Sequence, residues 1–353
     1  PAGSLANLVK YNINTGSASK GFQTMSPFRQ ELRKIEDIKK HHVPSVKEVV
    51  PQSTATEIPA ASGRPLRAYA FPGQGSQKKG MGEGLFDEFP DLTRKAGEIL
   101  GYSIKDLCIN NTDRNLNKTE YTQPALFVVN ALTYLKSLKD GKSTPDVVVG
   151  HSLGEYSALF AAGVFDFETG LRLVQKRGEL MSKMKAGGMA AVKGLSKETL
   201  LQVISSNGLD EIDVANYNSF NQIVLSGPKD LIVKSGKPFE EAGASLYFPL
   251  NVSGAFHSRY MKPAKEEFEV FLNSFNFSAP KIPVISNVEA SYYTQEKVKT
   301  LLADQLLKSV KWTDSITFIM EKGEVTFEEM GPGEVLTKLI YSIRKNLQEA
   351  AVA

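Results

Sequence analysis

The sequence predicts an α/β protein: a parallel sheet flanked by helices, with a small ferredoxin-like unit of βαββαβ order inserted into it. Three observations carry this prediction. Apolar runs of strand length alternate with helical periodicities on both sides of the middle of the chain. From 189 to 253 the pattern changes to short strands and helices in the βαββαβ order. Ahead of that change, Val147-Val148-Val149 leads through Gly150-His151-Ser152-Leu153-Gly154 into a helical pattern ending at Gly163. Strand, tight turn and helix around Gly-x-Ser-x-Gly is the context a nucleophile elbow requires.

Length and composition agree with this class. A chain of 353 residues, 41% hydrophobic and 23% charged, can bury a sizeable core without staples and is not disordered throughout. The single cysteine, Cys108, excludes an internal disulfide and a thiolate metal cluster, and fits a reducing, cytoplasmic setting. No apolar run reaches the roughly 18 residues of a membrane span. The net charge of +3 is concentrated in residues 1–66, which leaves the body near neutral and without a nucleic-acid footprint.

In chain order, residues 1–66 read as a leader or interdomain linker. Phe28, Leu32, Ile35 and Ile38 recur at helical spacing, and Pro44 to Pro65 has a linker's Pro/Ser/Thr/Ala composition. A basic, acid-free start also resembles a mitochondrial presequence, but it lacks arginine, and the chain opens on Pro1 like a piece of a larger multidomain protein. Arg67–Phe71 is a strand that runs into Pro72-Gly73-Gln74-Gly75. Helices are expected at about 81–99 and 123–139, the second opening at Thr122-Gln123-Pro124 because proline suits a first turn. Asp166 is a good N-cap for a helix to about Met184. Within that helix Arg177 has apolar helical neighbours, so it should be partly buried, either in a structural ion pair or as an anion clamp.

The small unit reads as strand Met189–Lys193, helix Lys197–Ser206, strands Ile212–Ala215 and Gln222–Leu225, helix Leu231–Ala242 and strand Ser245–Leu250. The α/β pattern then resumes with helix 261–275, strand Val284–Ser286, helices 295–307 and 312–321, strand Val325–Glu328 and helix Val335–Asn346. The expected division is therefore a large subdomain from 67–188 and 255–346 and a small one from 189–254.

A serine nucleophile needs a base, and the chain has four histidines. His41 and His42 lie in the polar leader, and His151 points away from the Ser152 oxygen by its place on the elbow. His257, in Ser253-Gly254-Ala255-Phe256-His257-Ser258, is left by elimination. Asp213 and several glutamates lie between serine and histidine in sequence, but none has a recognisable context, so the acid of a triad stays open and a dyad with it. An oxyanion needs two N–H donors: Leu153 supplies one by elbow geometry, and the Gly73-Gln74-Gly75 loop is the natural source of the other.

With these residues assembled, the chain resembles the malonyl-CoA:acyl carrier protein transacylases and the acyltransferase domains of polyketide synthases, over about Tyr69 to Ile343. The motifs are Phe71–Gln77, the Gly150–Gly154 elbow, Gln175-Lys176-Arg177-Gly178, Asn216-Tyr217-Asn218-Ser219, Ala255–Ser258 and Glu329-Met330-Gly331-Pro332-Gly333. The resemblance implies a hydrolase-like α/β domain with a ferredoxin-like insertion. It also implies Ser152 as nucleophile and His257 as base, with His257 oriented by a backbone carbonyl at Gln305. Further implications are an oxyanion hole of Gln74 and Leu153, Arg177 on the malonyl carboxylate, and substrate contacts from Phe256, His151 and Asn218. Phe256 resembles the malonyl-selecting form. Malonyl-CoA would be the substrate, with no metal or tightly bound cofactor, and a phosphopantetheinylated acyl carrier protein the partner. Phrases such as Gly163–Gly170 look closest to acyltransferases that serve polyketide synthases in trans. A fatty-acid transacylase, a proofreading acyl hydrolase of the same fold and an idle carrier-docking module are the rival readings.

Overall fold

The first strand shows why the large sheet is buried on both sides. In β1 (Leu66–Phe71), Tyr69 and Phe71 face one apolar cluster, while Ala68 and Ala70 face another. Successive strand residues point to opposite faces, so a strand that is apolar at both parities needs cover on both. The computed structural model describes residues 57–59, 63–185 and 187–352. The leader helix read from Phe28 to Ile38, and His41 and His42, lie outside them.

The large sheet is wholly parallel, with strand order β7-β2-β1-β8, where β2 is Val147–Gly150, β7 is Val284–Ile285 and β8 is Val325–Glu329. The helices Thr119–Lys139 and Phe167–Lys183 pack together over one face, with the Phe127 and Phe167 rings 5.8 Å apart. Trp312–Met320 and Val335–Val352 cover the other through Trp312, Ile316, Leu336 and Ile340. A parallel sheet places the loops after all its strands at one edge. Here that edge carries the loop from Pro72, the elbow, Asn287 and the Gly331 turn.

A second, antiparallel sheet has the order β4-β5-β3-β6, from β3 (Gly187–Lys193), β4 (Asp213–Ser219), β5 (Gln222–Pro228) and β6 (Leu246–Pro249). With the helix Lys197–Ser206 after β3, this is the βαββαβ arrangement expected. Its own core holds Val192, Leu200, Ile223, Leu225 and Phe239. Edge strand β4 also meets the large sheet's surroundings: Val310 N–H donates to Ala215 O at 2.8 Å and Tyr217 N–H to Val310 O at 3.0 Å.

Several boundaries differ from expectation. The helix expected over 81–99 is two helices, Leu85–Glu88 and Pro90–Leu100, because Pro90 opens a new first turn. A helix at Ile104–Ile109, capped by the Ser103 side chain, was not anticipated. The helix expected from Thr122 begins at Thr119, leaving Pro124 inside it. Leu231–Ala242 is two short helices meeting at Ser235, and 295–307 begins as a 3-10 turn before Val298–Asp304. The described end of the leader is docked: Ile58 is buried, and Arg64 makes a bidentate pair with Asp146 at 2.8 Å.

Candidate active site

Ser152 follows β2 with φ of 52°, a left-handed conformation that side chains rarely adopt. The glycines beside it are required by close approach. A Cβ on Gly150 would lie 2.0 Å from the Gly154 carbonyl, and one on Gly154 would lie 1.9 Å from Phe71 O. The turn is held by Asn287, just past β7. Its Oδ1 accepts the Ser152 N–H and its Nδ2 donates to Gly150 O, both at 2.7 Å.

His257 also has a positive φ, 56°, and its Nε2 lies 2.7 Å from Ser152 Oγ. Its Nδ1 is 2.7 Å from the Gln305 carbonyl. A carbonyl only accepts, so Nδ1 carries the proton and Nε2 is free to take one from the serine. Gln305 is the residue following the helix Val298–Asp304, where carbonyls lack helical partners. Burial, reinforced by the nearby Arg177 charge, pushes the imidazole pKa down to about 3, so it stands neutral.

Arg177 is buried and donates from Nη1 to Gln123 Oε1 at 2.8 Å, and from Nη2 to Gln305 Oε1 at 2.9 Å and Ser152 Oγ at 3.2 Å. Its guanidinium lies 5.5 Å from the Tyr156 ring centroid. Among the described residues no carboxylate lies within ion-pair distance of it. The structural ion pair weighed from sequence is therefore absent there, and the charge faces Ser152 across neutral amides.

Among the described residues, no hydrogen bond is made by the backbone N–H of Gln74 or by that of Leu153 in the elbow. Gly73 is pressed against the elbow, where a Cβ would lie 2.3 Å from His151 O. Phe256 is buried in the large core cluster beside His257. His151 and Asn218 meet each other rather than Ser152: Nε2 is 2.7 Å from Asn218 Oδ1, and the imidazole lies edge-on to Trp312 at 5.3 Å. A cleft of about 1050 Å³ reaches His257 and is lined by Asp213 and Tyr217 of β4, by Lys308 and Ser309, and by Thr300 and Leu301.

Ser152, His257, Arg177 and Gln305 thus come together within hydrogen-bond distance. The arrangement can deprotonate a serine hydroxyl, accept an oxyanion on backbone N–H groups and hold an anionic substituent nearby. Sequence reasoning missed Gln123, Asn287 and Glu155. Glu155 carries a sequence signal: it is the single charged residue in the apolar stretch Gly154–Ala161, and it is buried. Among the described residues, no group of three or more His, Cys, Asp or Glu side chains could hold a metal. No helix there is long and apolar enough to cross a membrane.

Residues 68–353 match the acyl transferase domain family. The chain is 61% identical, over 79% of its length and 98% of the other, to the polyketide biosynthesis malonyl CoA-acyl carrier protein transacylase PksC of Bacillus subtilis. It is 45% identical to the polyketide biosynthesis protein ThaF of Burkholderia thailandensis, an alignment that takes in 97% of this chain and 29% of that protein. The fold superimposes with a TM-score of 0.78 on the crystal structure of malonyl CoA-acyl carrier protein transacylase from Burkholderia pseudomallei. That protein is 47% identical, and the match covers 80% of this chain and 99% of the other.

Proposed function

The chain belongs to the acyl transferase domain family, and from that premise we propose that it moves malonyl groups from malonyl-CoA to the phosphopantetheine thiol of an acyl carrier protein for polyketide biosynthesis. The observation that carries this is the Ser152–His257 pair at 2.7 Å with a buried Arg177 that has no carboxylate of its own.

Ser152 Oγ attacks the thioester carbonyl carbon while its proton passes to His257 Nε2. The oxyanion is held by the N–H groups of Gln74 and Leu153. The C–S bond breaks, His257 returns the proton to the departing coenzyme A thiolate, and a malonyl-serine ester remains. The carrier's thiol then enters, and the same steps run in reverse. Arg177 binds the malonyl carboxylate by charge-assisted hydrogen bonds, and Phe256 walls the acyl pocket against a branched group. His151 and Asn218 shape the cleft as a bonded pair. No tightly bound cofactor takes part.

We take 67–188 with 255–346 as the large subdomain and 189–254 as the small one, although β3 of the small sheet already begins at Gly187. Identity to PksC favours polyketide over fatty-acid supply. That this chain is part of a multidomain protein stays a proposal of ours: ThaF is matched over 29% of its length, but PksC over 98%. The lone thiol, Cys108, is buried with its pKa pushed up to about 12, which suits a cytoplasmic enzyme with no reactive cysteine.

Intact-mass measurement after mixing with malonyl-CoA, followed by addition of phosphopantetheinylated carrier protein, tests the proposal. A malonyl adduct on Ser152 that moves to the carrier is expected. An adduct released only as free malonate would make the protein a hydrolase, and no adduct at all would leave a docking module.

A further inference from the structure

We infer that Glu155 is the positioning carboxylate of this site, acting through Gln305 to fix both the imidazole of His257 and the guanidinium of Arg177. The inference rests on the transfer chemistry proposed above and assigns a part to a residue that makes no contact with the reacting atoms.

The geometry turns on the Gln305 side-chain amide, whose two ends have nearly the same shape and are told apart only by their partners. Nε2 donates to Glu155 Oε2 and, at 2.9 Å, to Ser152 O. Oε1 accepts from Arg177 Nη2 at 2.9 Å. The Ser152 carbonyl can only accept, a guanidinium can only donate, and Glu155 Oε2 stands as an acceptor toward Nε2. The reversed amide would therefore set oxygen against two oxygens and N–H₂ against N–H. Glu155 thus selects the orientation that presents an acceptor to Arg177. It also anchors the residue whose backbone carbonyl takes the His257 Nδ1 proton at 2.7 Å.

The second Glu155 oxygen points to the other brace of the site. Oε1 accepts the Asn287 N–H at 3.1 Å, and the Asn287 side chain clasps the Ser152 turn. One carboxylate therefore touches both residues that hold the serine, the histidine and the arginine in register. A side chain with no exposed surface would cost stability if its oxygens were unpaired, and here both are met by donors. Among the acids that lie between serine and histidine in sequence, Glu155 is the one linked to the imidazole, through Gln305.

Glu155→Gln keeps the shape but only one acceptor, so its N–H₂ must face a donor, either Gln305 Nε2 or the Asn287 N–H, and one of the two braces is broken. Rates of Ser152 acylation by malonyl-CoA and by acetyl-CoA are measured by quenched intact mass for wild type, Glu155→Gln, Gln305→Met and the double variant, with melting curves. Each single variant is expected to lose at least about tenfold in malonyl acylation, toward the roughly hundredfold that a 1 Å misplacement costs. Each is also expected to lose part of the malonyl-over-acetyl preference. The double variant should lose little more than either single, because both changes cut the same link. A folded Glu155→Gln protein with wild-type rate and preference overturns the inference, as do losses that multiply in the double variant. If Glu155→Gln does not fold, Gln305→Met alone decides, and a wild-type preference there overturns it. Failure of the wild-type protein to load malonyl would instead sink the transfer chemistry itself.

Discussion

Arg177 has an unusual environment for a buried cation: its acceptors are two neutral amide oxygens and a hydroxyl. Charge-assisted hydrogen bonds are worth about 1.5–3 kcal/mol each. Arg177→Ala is therefore expected to lower malonyl kcat/KM by roughly 10- to 100-fold while leaving an uncharged acetyl group far less affected. Competition between the two thioesters for Ser152 reads this directly, and an unchanged ratio would remove the carboxylate clamp. The ionisable residues nearby make a second prediction. Burial raises the Glu155 pKa to about 7 from an unfolded value of 4.5, so its contribution to stability is present below 4.5 and is lost as pH rises to 7. His257 is depressed to about 3 from 6.5, and His151 is shifted the same way by burial, so their contributions are lost as pH falls below 6.5. Between pH 4.5 and 6.5 the two effects oppose. Arg177, Tyr156 and Tyr293 also face Glu155, but all three keep one charge state across that window. Glu155→Gln should therefore make stability rise more steeply with pH there, by up to ~1.4 kcal/mol per unit, as read from denaturant titrations at several pH values. A slope equal to wild type would mean that Glu155 is ionised throughout.

At the scale of elements, the elbow is a crossing of three backbones: β1's end, β2's end and the helix Gly154–Ala161. Only glycine fits where they touch, and the left-handed residue is Ser152 itself. Gly154→Ala would drive a Cβ to 1.9 Å from Phe71 O, a backbone atom that cannot swing away. At least ~2 kcal/mol of stability should be lost, together with activity, because β1 must shift away from the nucleophile. Chemical denaturation of the variant checks this, and a loss under ~0.5 kcal/mol would show that the crossing is loose. The strands and the elbow were legible in the sequence because burial at both parities and the glycine spacing are local signals. The start of the helix at Thr119 was not. Its first turn is polar, and its buried polar residues face the site rather than the core: Gln123 bonds Arg177, and Thr119 accepts from Gln74 Nε2 at 3.3 Å. The partners of Asn287 and Glu155 were illegible for a related reason, although the lone charge of Glu155 in its apolar stretch was not. Their partners lie over a hundred residues away along the chain, and no periodicity records such a contact.

Across the whole molecule, the site exists because the small antiparallel sheet is fastened to the large parallel one. Edge strand β4 hydrogen-bonds through its backbone to Val310, and Thr313 Oγ1 donates to Tyr217 O at 3.0 Å. One side-chain link runs straight to the elbow: Asn218 on β4 pairs with His151, the neighbour of the nucleophile. Transfer at Ser152 needs the separation of the two sheets fixed, since the reacting groups must be held in place. Asn218→Ala leaves the partly buried His151 imidazole without that partner, which costs about 1 kcal/mol. If the pair is a fastening, the variant should melt lower, and both proteins should unfold in one calorimetric transition, because backbone links make the two sheets unfold together. Its malonyl loading should slow through kcat, since His151 is the chain neighbour of Ser152. If Asn218 instead contacts substrate directly, KM would rise with the melting temperature unchanged. Two separate transitions would mean that the sheets are independent bodies, and the site would then depend on how far apart they move.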